Sequence, residues 1–325
     1  MKNTIQRQKR CLLLLLGGCL LASPLWVQAA FLDDGWGARP LGMGGAFTAV
    51  ADDSNAPLYN PAGLVQVQWN EFSAMYARLF SGLTVYAGDD QARLDQSYLA
   101  YVSKPIPHVG SWGISWANFN TTHLYREDTL ALSYARNLGD FFPVLDNNLA
   151  FGLNVKYLHR GITLDSRTND AADPVFASGD SASGVAVDVG FLFKSEEGPL
   201  EGWRVGVAAK NLNEPNVGFQ EKDPVPLEWR LGLAYQNRQR PWLVPALDVT
   251  RRNGVTGVSG GFESWLFNDT LGLRVGGNRD EATAGLSYYQ AINRKIGFRL
   301  DYGFAVPFYV EGTSGSHRLA ATVYF

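Results

Sequence analysis

From Asn70 onward, apolar positions recur at every second residue. Leu149, Phe151, Leu153, Val155 and Tyr157 alternate with Ala150, Gly152, Asn154 and Lys156. Val185, Val187, Val189, Phe191 and Phe193 share a phase opposite to Asp188. Leu227, Trp229, Leu231, Leu233 and Tyr235 stand against Glu228, Arg230 and Gly232, and Ile296, Phe298, Leu300, Tyr302 and Phe304 against Arg299 and Asp301. A period of two predicts strands with two unlike faces, because successive strand side chains point to opposite sides. About fourteen such segments are predicted: 70–80, 96–103, 110–120, 129–137, 149–160, 184–193, 203–211, 227–236, 242–250, 257–266, 270–276, 281–289, 295–304 and 316–325. The phase of 242–250 is open, because Pro245 interrupts it and Asp248 falls out of step; the alternative outer face is Leu243, Leu247 and Val249.

A soluble sandwich would bury the apolar face, whereas a membrane barrel turns it to lipid and keeps polar and small residues in the lumen. The segments have the length of strands that cross a bilayer at a tilt. Aromatic residues stand near their ends, where interfacial girdles form: Trp69, Tyr134, Tyr157, Trp203, Tyr235, Trp242 and Tyr324. The other face is mostly Gly, Ala and Ser with charges of both signs. An Arg or Lys on the lipid face at mid-depth costs about 2–4 kcal/mol, so Arg204, Arg230, Arg274 and Arg299 are expected to face inward. Lys156, Asp188, Lys210, Glu228, Glu263 and Asp301 share that expectation. Two readings of these lumen charges remain open: cross-strand pairing and packing, or a polar track for substrate. The expected fold is all-β, a transmembrane antiparallel barrel of about fourteen strands.

The connections 81–95, 121–128, 161–183, 212–226, 251–256, 277–280 and 305–315 fall on one side and include the three longest, which makes that side external. The last strand ends on Phe325, with His317, Leu319, Ala321, Val323 and Phe325 on one face; it is expected to serve as the signal read by barrel assembly machinery.

The first residues contain Lys2, Arg7, Lys9 and Arg10, then an apolar run, then small residues: a secretory signal, with cleavage expected after Ala29. Cys11 and Cys19 both lie in it, so the mature chain has no thiol for disulfides, catalysis or zinc. The leader holds four of the 28 basic residues and none of the 31 acidic ones, leaving 24 against 31 and a net charge of −7. That balance argues against nucleic acid as a partner. The expected division is a leader 1–29, an N-terminal segment 30–69 and a barrel 70–325, placed in a Gram-negative-type outer membrane.

The segment GARPLGMGGAFTAVADDSNAPLYNPAGL (37–64) resembles the N-terminal signature of the FadL-like outer-membrane superfamily, and more closely its shorter PorV/PorQ-type branch. AAKNLNEP (Ala208–Pro215), PVPLEWRLGLAY (Pro224–Tyr235), LRVGG (Leu273–Gly277), LDYGF (Leu300–Phe304) and the terminal HRLAATVYF fall in the matching order. The resemblance implies a fourteen-stranded barrel whose N-terminal segment folds into the lumen as a plug, with Asn60, Pro61 and Ala62 near its centre. Gly42, Gly44, Gly45, Asp52, Asp53 and Gly63 belong to the same expected plug. In the fatty-acid-transporter branch, hydrophobic molecules bind inside and leave through the wall; PorV-like relatives serve type IX secretion as carriers or adaptors. The chain lacks the additional length of the large fatty-acid transporters.

Other chemistries find little support in the residues. Gly42-Met43-Gly44-Gly45 lacks the third glycine of a dinucleotide fingerprint, with Phe47 where it would stand. Asp52-Asp53 has no calcium-loop companions, and His108, His123, His159 and His317 show no metal-ligand spacing. No enzyme, metal or cofactor is expected. Two functions stay open: passive passage of a small hydrophobic compound, or a barrel that docks secreted proteins, notably through 161–183. The expected partners are outer-membrane lipids, the assembly machinery and either a hydrophobic small molecule or a secreted protein.

Overall fold

The computed structural model describes residues 30–31, 35–83, 86–87, 90–91, 93–122, 124–142, 148–163, 179–236 and 242–325. The leader with its cleavage point, Cys11, Cys19, His123 and the middle of the 161–183 connection lie outside these residues.

Fourteen strands form the wall: β1 (Glu71–Leu79), β2 (Leu94–Val102), β3 (Ser111–Thr121), β4 (Tyr125–Asn137), β5 (Leu149–Ile162), β6 (Ser181–Lys194), β7 (Trp203–Lys210), β8 (Glu228–Tyr235), β9 (Leu243–Arg252), β10 (Val255–Leu266), β11 (Leu271–Asn278), β12 (Glu281–Ala291), β13 (Gly297–Pro307) and β14 (Ser316–Tyr324). Each pairs antiparallel with its neighbours in sequence. β1 also pairs with β14, Glu71 opposite Tyr324 and Arg78 opposite His317, so the sheet closes on itself. Closure satisfies every backbone ladder internally, the condition for crossing hydrocarbon with strands.

The faces divide as the alternation predicts. Leu132, Val155, Leu231, Phe262, Val275, Leu300 and Leu319 are exposed on the outside, while Asn154, Asp188, Glu263, Arg274 and Asp301 are buried within. A wall that buries its charges and exposes its aliphatic residues is stable where lipid covers the outside. In β9 the alternative phase holds: Leu247 and Val249 face out and Asp248 is buried.

Several strand ends extend past the sequence-based limits. β4 begins at Tyr125, which shortens the 121–128 connection, and β9 and β10 meet at Asn253-Gly254, with φ +48° and +76°. Both residues adopt the left-handed geometry of a tight two-residue hairpin. Arg126, Glu127 and Asp128 resemble loop in composition, yet they stand in register with Asn120, Phe119 and Asn118. Tyr324 is a correction to the expected girdle: it is buried, faces inward and lies edge-on to Tyr289, with Arg299 5.7 Å from its ring centroid.

The chain before β1 occupies the lumen. It contains α1 (Ala38–Gly42), α2 (Ala56–Tyr59) and a 3₁₀ turn (Pro61–Gln66). α1 packs on β11–β14, and the 3₁₀ turn packs on β3–β6, so the segment crosses between distant parts of the wall.

Candidate functional site

Close approach of this segment to the wall depends on missing side chains. Four inward-facing cross-strand pairs are glycine on glycine: Gly152–Gly190, Gly206–Gly232, Gly261–Gly276 and Gly285–Gly303. A Cβ at Gly232 would lie 2.7 Å from Ala49 N, and one at Gly303 2.6 Å from Ala38 O. At Gly190 it would strike Asn60 Oδ1, and at Gly285 it would meet Gly42 Cα at 3.1 Å. The lumen-facing glycines thus form flat seats on which backbone rests on backbone.

Charges then fix the segment in register. Arg39, in α1, donates to Glu263 on β10, to Asp52 (2.6 Å) and to Asp53 (2.9 Å). Glu263 also accepts a bond from Arg274 Nε at 2.5 Å. Arg299 joins Asp53 (2.9 Å) to Asp301 (2.8 Å), and Ser287 bonds both Arg274 and Asp301. Burial alone would draw the Arg39 guanidinium down, but Asp52, Glu263 and Asp53 more than offset it and keep it a cation. Burial likewise pushes the Asp53 carboxyl up, and Arg39 and Arg299 more than reverse that, holding it well below the usual carboxylate range.

The other expected positions distribute as follows. Asn60 Nδ2 donates to Thr48 O (3.0 Å) and to Phe191 O of the wall (3.1 Å), and its Oδ1 caps the 3₁₀ turn at Ala62 N. Pro61 opens that turn, and Gly63 fits where a side chain would collide with Ala51 O. Gly44 and Gly45 adopt φ +68° and +85°, and Gly45 lies near Ser259. Lys156 pairs with Asp188 at 2.7 Å, Arg230 with Glu228 at 3.2 Å, and Arg204 with Asp52 at 3.6 Å. Phe325 exchanges backbone hydrogen bonds with Asn70, and its ring is exposed.

Further tethers fasten the segment, and of their wall residues Lys210 is the one expected from sequence as a lumen charge. Asp248 Oδ2 accepts Phe47 N, Thr48 N and the Thr48 hydroxyl. Glu71 accepts Ser54 N, Tyr98 donates to Ser54 O, Asn154 to Pro57 O and Lys210 to Leu58 O. For Asp248 the signal was present, as the acid that breaks the phase of its strand. For Arg39 it was a lone cation among small residues.

Beyond the segment, toward the barrel end remote from Glu71 and Tyr324, lies a cavity of about 1550 Å³. Gly44, Gly45 and Tyr59 form its floor, with Leu79, Phe119, Tyr125, Arg160, Arg230, Val255, Tyr309 and Arg318 around the sides. The lining mixes apolar side chains with many charged ones of both signs, among them Glu127, Arg160, Glu228, Arg230 and Arg318. Among the described residues, no group of three or more His, Cys, Asp or Glu is placed to hold a metal ion.

The fold is similar to solved barrels. The Ralstonia pickettii toluene transporter TbuX superimposes with a TM-score of 0.58 at 13% identity, covering 90% of this chain and 98% of that one. The CymD monoaromatic hydrocarbon channel gives 0.57 at 15%, covering 90% and 97%. The Pseudomonas putida toluene transporter TodX gives 0.54 at 15%, covering 89% and 97%. At such identities the likeness shows the fold. No curated protein sequence matches the chain. The family described as type IX secretion system membrane protein PorP/SprF matches residues 54–240, which take in the end of the lumen segment and the wall through β8. With that match over more than half of its length, the chain belongs to the PorP/SprF family.

Proposed function

We propose that the protein is a passive outer-membrane channel for small hydrophobic compounds, with the segment before β1 as its plug. The observation that carries this reading is the 1550 Å³ cavity, walled by strands and floored by Gly44, Gly45 and Tyr59. A molecule captured there reaches the other side only if the segment yields or a path opens beside it. The solved barrels of like fold carry toluene and monoaromatic hydrocarbons by their descriptions, which is consistent with such a ligand here. On this reading the leader is removed after Ala29, and Phe325 closes the strand that the assembly machinery recognises. The test is uptake of a fluorescent hydrophobe by cells with and without the gene; equal uptake contradicts the proposal.

A second reading is favoured by the family match: an adaptor or carrier in type IX protein secretion, of the kind the PorV/PorQ-type resemblance suggests, with no transport of its own. Loss of a secreted protein from the cell surface, with hydrophobe uptake unchanged, selects this reading.

A further inference from the structure

The connection between β7 and β8, residues 211–227, turns back into the lumen. Val217 and Val225 are fully buried, in one cluster with Leu158 of β5, Ala186 of β6, Ala30 and Phe31. A connection that stood in solvent would have no use for two such valines. The wall is pared down where the loop leans on it: a Cβ at Gly184 would lie 3.1 Å from Pro215 Cβ and 3.3 Å from Val217 Cγ1.

The base of the loop is fastened to β6. Asn211 N donates to Asp188 Oδ1 at 2.8 Å, Leu212 N to Val187 O at 2.9 Å, and Asn213 Nδ2 to Val185 O at 2.6 Å. Asn213 Oδ1 accepts Val187 N at 3.0 Å. These bonds continue the ladder of β6 beyond the end of β7. Asn216 and Pro224 form a bridge that narrows the loop to a tip. At the tip, Arg160 Nη1 of β5 donates to Asp223 Oδ2 at 2.6 Å, and the same guanidinium lies 4.5 Å from the Phe219 ring centroid. Phe219, Gln220, Glu221, Lys222 and Asp223 all line the outer cavity.

We propose that residues 219–223 are a strap across the outer cavity, latched by Arg160 to Asp223 and Phe219, that sets which molecules reach the cavity floor. The base is held by four hydrogen bonds to β6, one of them main chain to main chain, and the tip meets β5 through the Arg160 ion pair and ring contact. The Asp223 side chain keeps 30% of its exposure. Arg160 keeps only 10%, so water reaches the latch from the Asp223 side, and release rehydrates that carboxylate. Release moves the strap residues off the cavity and widens the way to Gly45 and Ser259. The inference rests on reading this cavity as a ligand site, but its test reads access to the floor and not transport, so the two fail separately.

The experiment places one thiol at the floor, Ser259→Cys, in the full chain with Cys11 and Cys19 changed to Ala. The purified barrel is treated with a small maleimide and with a bulky polymer-linked one. The small reagent is expected to react alike in all variants. The bulky reagent is expected to react about tenfold faster in Asp223→Asn and Arg160→Met than in the parent, as a tenfold larger released population requires. The charge swap R160D/D223R is expected to restore the slow rate. Equal bulky-reagent rates in parent and latch variants overturn the proposal. Should the charge variants fail to show the heat-dependent gel mobility of a folded barrel, Phe219→Ala decides alone: faster labelling supports the strap, and unchanged labelling overturns it.

Discussion

Arg39 and Glu263, 224 positions apart, meet through paired hydrogen bonds of 2.7 Å, Nε to Oε2 and Nη2 to Oε1. This planar fork joins the lumen segment to β10, and both side chains are buried. Arg39→Met leaves Glu263 and Asp53 short of a cation in a buried setting, which costs about 3 kcal/mol. Arg39→Lys keeps the charge but loses the fork and falls between. Urea unfolding in detergent is expected to rank wild type above the lysine variant and the lysine variant above the methionine one.

Acid tests the same cluster through Asp53. Its carboxyl is held well below the usual range, so its stabilising contribution is complete above the unfolded value of about 3.9 and is lost as pH falls through the lower folded value. Asp53→Asn is therefore expected to unfold at lower urea than wild type at pH 7, and the gap to narrow only below about pH 4. A gap that closes between pH 7 and pH 5 counts against the assigned ion pairs.

The glycine seats predict an asymmetry between the two faces of the wall. Gly232→Val forces a side chain into Ala49 N and Thr48, and such overpacking costs about 1–3 kcal/mol. Gly260→Ala puts its methyl no closer than 3.7 Å to Leu247 Cδ1, and little change is expected. Liposome swelling with a small sugar is expected to report leakage for the first substitution and none for the second.

Leu153 and Asn154 test the direction of the strand faces. Leu153→Arg puts a charge on the lipid side at a cost of about 2–4 kcal/mol and is expected to block assembly, read as loss of heat-modifiable gel mobility. Asn154→Ala removes bonds to Pro57 O and Asp188 but no lipid contact, and is expected to assemble with only a lower unfolding midpoint.

The wall was legible in the sequence because lipid and lumen impose a period of two on every strand, and Leu153 beside Asn154 displays it directly. At β9 alternation leaves two phases open, and the structure, with Asp248 buried inside, decides between them. Strand ends were less legible where they leave the hydrocarbon: Arg126 to Asp128 carry charge because they no longer face lipid, and so resemble loop. Tyr324 stands near a strand end, as a girdle residue does, although its parity with Thr322 and Ala320 places it inside. The lumen contacts were hidden for a different reason. Arg39 reaching Glu263, or Gly190 receiving Asn60, depends on closure bringing distant strands around one segment, and alternation within a strand carries no record of which strand faces which part of that segment. The inward turn of 211–227 was hidden likewise, since Phe219 and Val217 look ordinary among Asn, Glu and Pro.

On the proposed function, the segment before β1 closes a barrel that is otherwise open and leaves a cavity on one side of it. Ion conductance across a planar bilayer, compared between the full chain and a variant lacking residues 41–64, tests this most directly. The full chain is expected to conduct little, and the deletion variant to assemble and open a steady, large conductance. Equal conductance from both would contradict the account.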